Sequence, residues 1–199
     1  MRESVAEQLS LPGIEPARPR RRPTDNLFYA IKPDLTAAAN IEPLISQLRL
    51  EHGLKGKSLT KERFHVSLHH VGSHAGLPQE IVAAAIAAGA SVTVPPLELM
   101  FDRVMSFRKS GKQPLVLRAC YDDALEEFWR VLGVAMQRAG VGRWMTSHYT
   151  PHLTLLYDSL SVKEQTIEPI RWTAHEFVLM HSLLGRNRHV PLAKWVLCG

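Results

Sequence analysis

A short motif that occurs twice constrains the fold more than any other feature of this chain. Phe64-His65-Val66-Ser67-Leu68 and Pro151-His152-Leu153-Thr154-Leu155 share the order His, apolar residue, hydroxyl residue, Leu. Along a strand, successive side chains point to opposite faces, so each His shares a face with its hydroxyl neighbour and the apolar residues share the other. Such a strand has a core side and a site side. The surroundings repeat as well. From Leu27, in the run Leu27-Phe28-Tyr29-Ala30-Ile31, to His65 is 38 positions, and from Leu115 to His152 is 37. Each block reads strand, helix, loop, then strand with His. A duplicated unit of this kind predicts two similar lobes.

Periodicity supplies the remaining elements. Ile41, Leu44, Ile45 and Leu48 give residues 34–50 a helical stripe, although Pro43 obscures where it starts. Pro78-Gln79-Glu80 opens a second helix that Gly89 closes. The strongest helix is Tyr121 to Ala139. It has Leu125, Phe128, Trp129, Leu132 and Met136 on one face, acidic residues at its start, and Arg138 and Gly140 at its end. Strands are expected over 27–31, 63–71, within 92–108, and over 114–119, 152–158, 174–184 and 190–197. The mixture is α+β, with helices packed on antiparallel or mixed sheets.

With 199 residues, 45% apolar and 22% charged, the chain suits one ordinary globular domain and excludes a disordered one. The longest apolar stretch, Ile81–Ala90, is too short to cross a bilayer. Two cysteines, Cys120 and Cys198, make no disulfide framework, and the N-terminus lacks a signal-type apolar run; a reduced, cytoplasmic protein is expected. Residues 1–23 hold five Arg, three Glu and four Pro, which reads as a flexible basic arm of solubilising type. Residues 24–199, the expected single bilobal domain, carry a net charge of only +3.

Two lobes related by a pseudo-twofold axis would bring two imidazoles and two hydroxyls to one small volume. That set can hydrolyse a phosphodiester without metal. A neutral imidazole takes a proton from water and a protonated one gives a proton to the leaving oxygen, and a ring of ordinary pKa near 6.5 supplies both forms around neutrality. The hydroxyls can donate to the non-bridging phosphate oxygens. His65/His69 and His70/His74 have a spacing that binds metal only on a helix, and the apolar residues between them indicate a strand. No carboxylate completes a ligand set beside His148 and His152. Gly111-Lys112 lacks a phosphate-cradling loop, so no ATP site is expected. Of His175, His181 and His189, in the C-terminal strands, at least two read as structural.

On these residues the sequence resembles the two-histidine (2H) phosphoesterase superfamily, and within it the RNA 2′,3′-cyclic phosphodiesterases, also called 2′-5′ RNA ligases. The resemblance is carried by Leu27–Ile31 with Pro33, by Arg63 to Gly72, by Pro151 to Asp158, and by the stretches Glu176–Leu179 and Trp195–Leu197. It spans about residues 24–198. It implies two pseudo-symmetric antiparallel-sheet lobes with helices outside and a central cleft. It implies an RNA end or nucleoside 2′,3′-cyclic phosphate as partner and substrate, opened to a 2′-phosphate without metal or other cofactor, with reversible 2′-5′ ligation as a further activity; a monomer without a membrane partner is expected. His65 would then protonate the departing 3′ oxygen, His152 would activate water, and Ser67 and Thr154 would hold the phosphate. The pair can exchange these roles. The basic residue that many such ligases have five positions after the second His is Tyr157 here, which can stack or donate but brings no fixed charge. Arg63 is a substrate-binding candidate, and with Lys109, Arg186 and Arg188 it is a candidate source of the missing charge. Two alternatives remain at this level: a non-catalytic RNA-end-binding module, and a 2H phosphoesterase acting on a non-RNA cyclic phosphate.

Overall fold

The computed structural model describes residues 22–119, 122–186 and 188–199; apart from Arg22 and Pro23, the expected basic arm lies outside the described residues, as do Cys120 and Tyr121. The elements in chain order are β1 (Asp25–Ile31), α1 (Leu35–His52), a 3-10 turn (Lys61–Arg63), β2 (Val66–His74), α2 (Gln79–Ala90), β3 (Leu97–Ser106), β4 (Gln113–Ala119), α3 (Asp123–Arg138), a second 3-10 turn (Gly142–Trp144), β5 (His152–Asp158), β6 (Gln165–Ala174), β7 (Glu176–Leu183) and β8 (Arg188–Val196).

The strands form one eight-stranded sheet in the order β6-β3-β4-β5-β2-β1-β7-β8. Its two four-stranded halves are the lobes expected from the repeat. In each, the motif strand (β2 or β5) is innermost and pairs antiparallel with the strand that opens its block (β1 or β4). The halves join where β2 meets β5, through the single register pair Val66↔Leu153. The α+β architecture with antiparallel lobes is therefore present, with the lobes fused edge to edge.

The helices pack on one face of this sheet. The main core unites Ile41, Ile45 and Leu48 of α1, Val82 and Ala85 of α2, and Leu125, Phe128, Leu132 and Met136 of α3 with Leu27, Tyr29, Ile31, Val66 and Leu153 of the strands. A smaller cluster, Phe28, Ala30, Val178 and Met180, lies on the opposite face, as alternation along β1 and β7 requires. α3 begins as its composition indicates: the Asp122 carboxylate accepts from the amides of Ala124 (2.9 Å) and Leu125 (3.2 Å). No helix among the described residues is long and apolar enough to cross a membrane.

Two features differ from the sequence expectation. Pro43 lies inside α1 instead of at its start. An internal proline removes one backbone bond and costs about 3 kcal/mol, but the Asp34 cap on Ala37 N, the αL cap at Gly53 and the buried stripe Ala37, Ala38, Ile41, Ile45 and Leu48 together hold the helix. The second is β6, which was not expected at all. It is an edge strand containing Pro169, and its mixed exposure hides the two-residue period.

Candidate active site

Register alone brings the two motifs together. Val66 and Leu153 face each other across the junction, and both are fully buried in the main core. Paired residues of antiparallel strands share a face, so His65, Ser67, His152 and Thr154, which flank that pair, all turn to the face away from the helices. All four are half-buried. His65 immediately precedes β2 and His152 is the first residue of β5.

Each ring is aimed by its own strand. His65 Nδ1 donates to the Arg63 carbonyl (2.7 Å), and His152 Nδ1 donates to the Thr150 carbonyl (2.7 Å), in both cases two residues upstream. A carbonyl only accepts, so the neutral tautomer of each ring carries its proton on Nδ1 and keeps the Nε2 lone pair for chemistry. Ring packing completes the arrangement. His189 and Phe28 lie against His65 at ring-centroid distances of 5.3 and 5.0 Å, and Phe107 lies against His152 at 4.9 Å.

Electrostatics distinguish the two rings. Burial lowers the pKa of both below 6.5, and the carbonyl bond partly opposes this in each. His65 is lowered further by positive charge on His152, Arg63 and Lys32. A charge on one motif histidine is thus felt by the other.

Two matching bulges shape the rest of the face. Along β2, Ala30 opposes Ser67 while Phe28 opposes His70; along β5, Val116 opposes Thr154 while Leu115 opposes Leu156. Each motif strand therefore carries one extra residue just after its hydroxyl. Leu68 with His69, and Leu155 with Leu156, are buried as consecutive pairs. His70 and Tyr157 return to the imidazole side, where both are exposed. Arg63 is close enough to affect His65 electrostatically, and its Nε is buried without a hydrogen-bond partner among the described residues. Lys109, Arg186 and Arg188 are instead exposed at or beside the β3–β4 and β7–β8 turns.

Sequence reasoning missed several neighbours of the pair. Arg118 stands directly across from His152, where Glu164 holds it at 2.9 Å along with Arg103 at 2.8 Å. Lys32 follows Ile31, the partner of Val66, and so falls opposite His65. Each motif histidine thus has a cation on the adjacent strand, a relation set by register and invisible to local periodicity. His189 lies against His65, whereas His181 is buried and bonded to Asp25 Oδ1 (2.5 Å). Among the described residues, no group of three or more His, Cys, Asp or Glu is placed to hold a metal ion. A separate pocket of about 830 Å³ between α1 and β6 contains none of the motif residues.

No curated protein sequence matches the chain significantly. Escherichia coli LigT in apo form shares 23% identity over 89% of this chain and 99% of its own, with a TM-score of 0.67. The same protein complexed with 3′-AMP aligns at 25% identity over the same shares, with a TM-score of 0.63. A crystal structure of a phosphoesterase is 26% identical over 88% of this chain and 99% of that one, TM-score 0.64. The family model of the 2′-5′ RNA ligase superfamily matches residues 33–186, a span that begins just after Lys32 and takes in both histidine motifs and their bulges. By fold, by paired motif and by that match, the chain belongs to the 2′-5′ RNA ligase superfamily.

Proposed function

We propose that this protein hydrolyses 2′,3′-cyclic phosphates of RNA ends or nucleotides to 2′-phosphates, without metal, using His65 and His152. One observation carries the reading: two imidazoles, each with Nδ1 committed to its own strand's carbonyl, leave two Nε2 atoms without a hydrogen-bond partner among the described residues, on one sheet face across one bridging pair. In the proposed step, His152 Nε2 takes a proton from water as the water oxygen bonds to phosphorus. The P–O3′ bond breaks, and His65 delivers its Nε2 proton to O3′. The Ser67 and Thr154 hydroxyls and Arg63 donate to the non-bridging oxygens, while Tyr157 flanks the substrate. Replacing water by a ribose 5′-hydroxyl in the same forward step forms P–O5′ as P–O3′ breaks and gives 2′-5′ ligation; the reverse of that step cleaves the 2′-5′ linkage. Membership of the superfamily supports this chemistry, as does the complex of Escherichia coli LigT with 3′-AMP.

The test is hydrolysis of the four nucleoside 2′,3′-cyclic phosphates in the presence of EDTA, with products identified by phosphorus NMR. We expect undiminished turnover and a 2′-phosphate product. Loss of activity on chelation overturns the metal-free mechanism, and no hydrolysis of any cyclic phosphate overturns the reading.

The pH dependence follows from the site. The reaction needs one protonated and one neutral imidazole, and both rings titrate below 6.5 in the free protein. The kcat/KM profile is therefore expected to be a bell with its maximum on the acid side of about 6.5, falling toward neutrality as the acid loses its proton. Bound phosphate monoanion favours imidazolium, so the kcat bell should sit at higher pH than the kcat/KM bell. Initial rates from pH 4 to 9 measure both, and a kcat/KM maximum above pH 7.5 contradicts this account.

A further inference from the structure

The two motifs are alike: each offers an imidazole aimed by an i−2 carbonyl and a hydroxyl two residues later. A site this symmetric does not by itself distinguish the two ester oxygens of a 2′,3′-cyclic phosphate. O2′ and O3′ are both bonded to phosphorus, and turning the ribose over exchanges which of them faces His65. A single product requires something that breaks the symmetry.

The packing around the two rings does break it. His152 is flanked edge-on by Phe107 (4.9 Å, 67° between planes), and His65 is flanked edge-on by His189 (5.3 Å, 73°). The packing task is the same on both sides, and on the His152 side a hydrocarbon ring performs it. On the His65 side Phe28 already supplies a hydrocarbon ring at 5.0 Å, and the further, edge-on neighbour is an imidazole, whose polar atoms packing does not need. His189 is half-buried, and neither of its ring nitrogens has a hydrogen-bond partner among the described residues. Burial, followed by the positive charge of His65, Arg63 and Lys32, pushes its pKa down to about 4. Near neutrality it is therefore an uncharged ring with one donor and one acceptor, suited to a hydroxyl or an ester oxygen. In register it opposes Ser182, and Ser182 opposes Asn26, so a row of polar side chains runs across β8, β7 and β1 on the imidazole face.

Resting on the reading above, in which His65 serves the departing oxygen, we propose that His189 is the specificity-determining residue that selects which ribose oxygen leaves. Sugar connectivity names its contact. C3′ adjoins C4′, which carries C5′ and O5′, whereas C2′ adjoins C1′, which carries the base. With O3′ facing His65, O5′ lies on the His65 side and His189 bonds it. With the ribose turned over, the base side occupies that place, the bond to O5′ is lost, and the same hydrolysis breaks P–O2′ to leave a 3′-phosphate.

The experiment compares the ratio of 2′- to 3′-phosphate formed from adenosine 2′,3′-cyclic phosphate by the wild type, His189→Phe and His189→Gln. A product ratio does not depend on how much of a variant folds. His189→Phe keeps the ring contact with His65 that Phe107 makes with His152, but removes both nitrogens. It should lower the 2′:3′ ratio by about tenfold, the worth of one hydrogen bond of ordinary strength, while Gln, which still donates and accepts, should retain part of the selectivity. A substrate-side measurement needs no variant: with 5′-deoxyadenosine 2′,3′-cyclic phosphate the wild type should lose the same selectivity. An unchanged ratio in His189→Phe, or a wild type that yields both isomers from the 5′-hydroxyl substrate, overturns the role of His189 and leaves the hydrolase reading standing. A wild type that opens neither substrate overturns both.

Discussion

His152→Ala and His65→Ala are each expected to lower kcat/KM for a 2′,3′-cyclic phosphate by a factor of about 10² to 10⁴, the usual contribution of a positioned general acid or base. The double variant should be little worse than the poorer single variant. Proton removal from water and proton delivery to the leaving oxygen belong to one displacement, so removing either already forfeits the concerted step. Each ring is half-buried and its one polar contact among the described residues is to a backbone carbonyl, so truncation leaves no buried charge behind and the fold should persist. Single-turnover rates, with circular dichroism to verify folding, make the comparison. A double variant as active as the wild type removes both histidines from the mechanism.

The second large effect concerns stability. Asp158→Ala is expected to destabilise the protein by about 3 kcal/mol, because it strands several backbone donors that now share one carboxylate. Asp158 ends β5 and is 4% exposed. Its Oδ2 accepts from the amides of Lys55 (2.7 Å) and Gly56, and its Oδ1 accepts from that of Leu160 (2.9 Å). The loop it holds also pairs Ser58 with Leu156, so the loop after α1 is tied to a strand of the other half. The seat is tight: a Cβ added at Gly56 would lie 2.2 Å from the Tyr157 carbonyl oxygen. The hydrogen bonds to Leu160, Gly56 and Lys55 lower the Asp158 pKa from its ordinary 3.8, against the opposing effect of burial. Its contribution is thus complete above about pH 4 and is lost as pH falls through the depressed native value. Urea denaturation at pH 7 and pH 3 checks both parts. The variant should be much weaker than the wild type at pH 7, with the gap narrowing at pH 3; equal midpoints at pH 7 would contradict the assignment.

The sequence showed the duplicated unit because its signal is local. Alternation around Val66 and Leu153, and the one-sided stripe and end charges of α3, are written within a few residues of where they act. It concealed what depends on register. That Arg118 faces His152, that Lys32 follows the partner of Val66, and that His189 reaches His65 from β8 all follow from how strands align across the sheet. The bulges were hidden for the same reason. His69 and Leu156 sit at positions where strict alternation predicts exposure, and only an extra residue opposite β1 or β4 turns them inward and brings His70 and Tyr157 out. β6 escaped notice because an edge strand with a proline has no clean apolar rhythm.

The carbonyls of Arg63 and Thr150 have a further consequence. Many acid–base sites orient an imidazole with a carboxylate drawn from a distant segment, which makes the tautomer hostage to tertiary assembly. Here the orienting atom is main chain and only two residues away, so no side-chain substitution can delete it. Each strand segment is a self-sufficient cartridge, and what the surrounding protein contributes is the spacing between cartridges and the character of the walls around them.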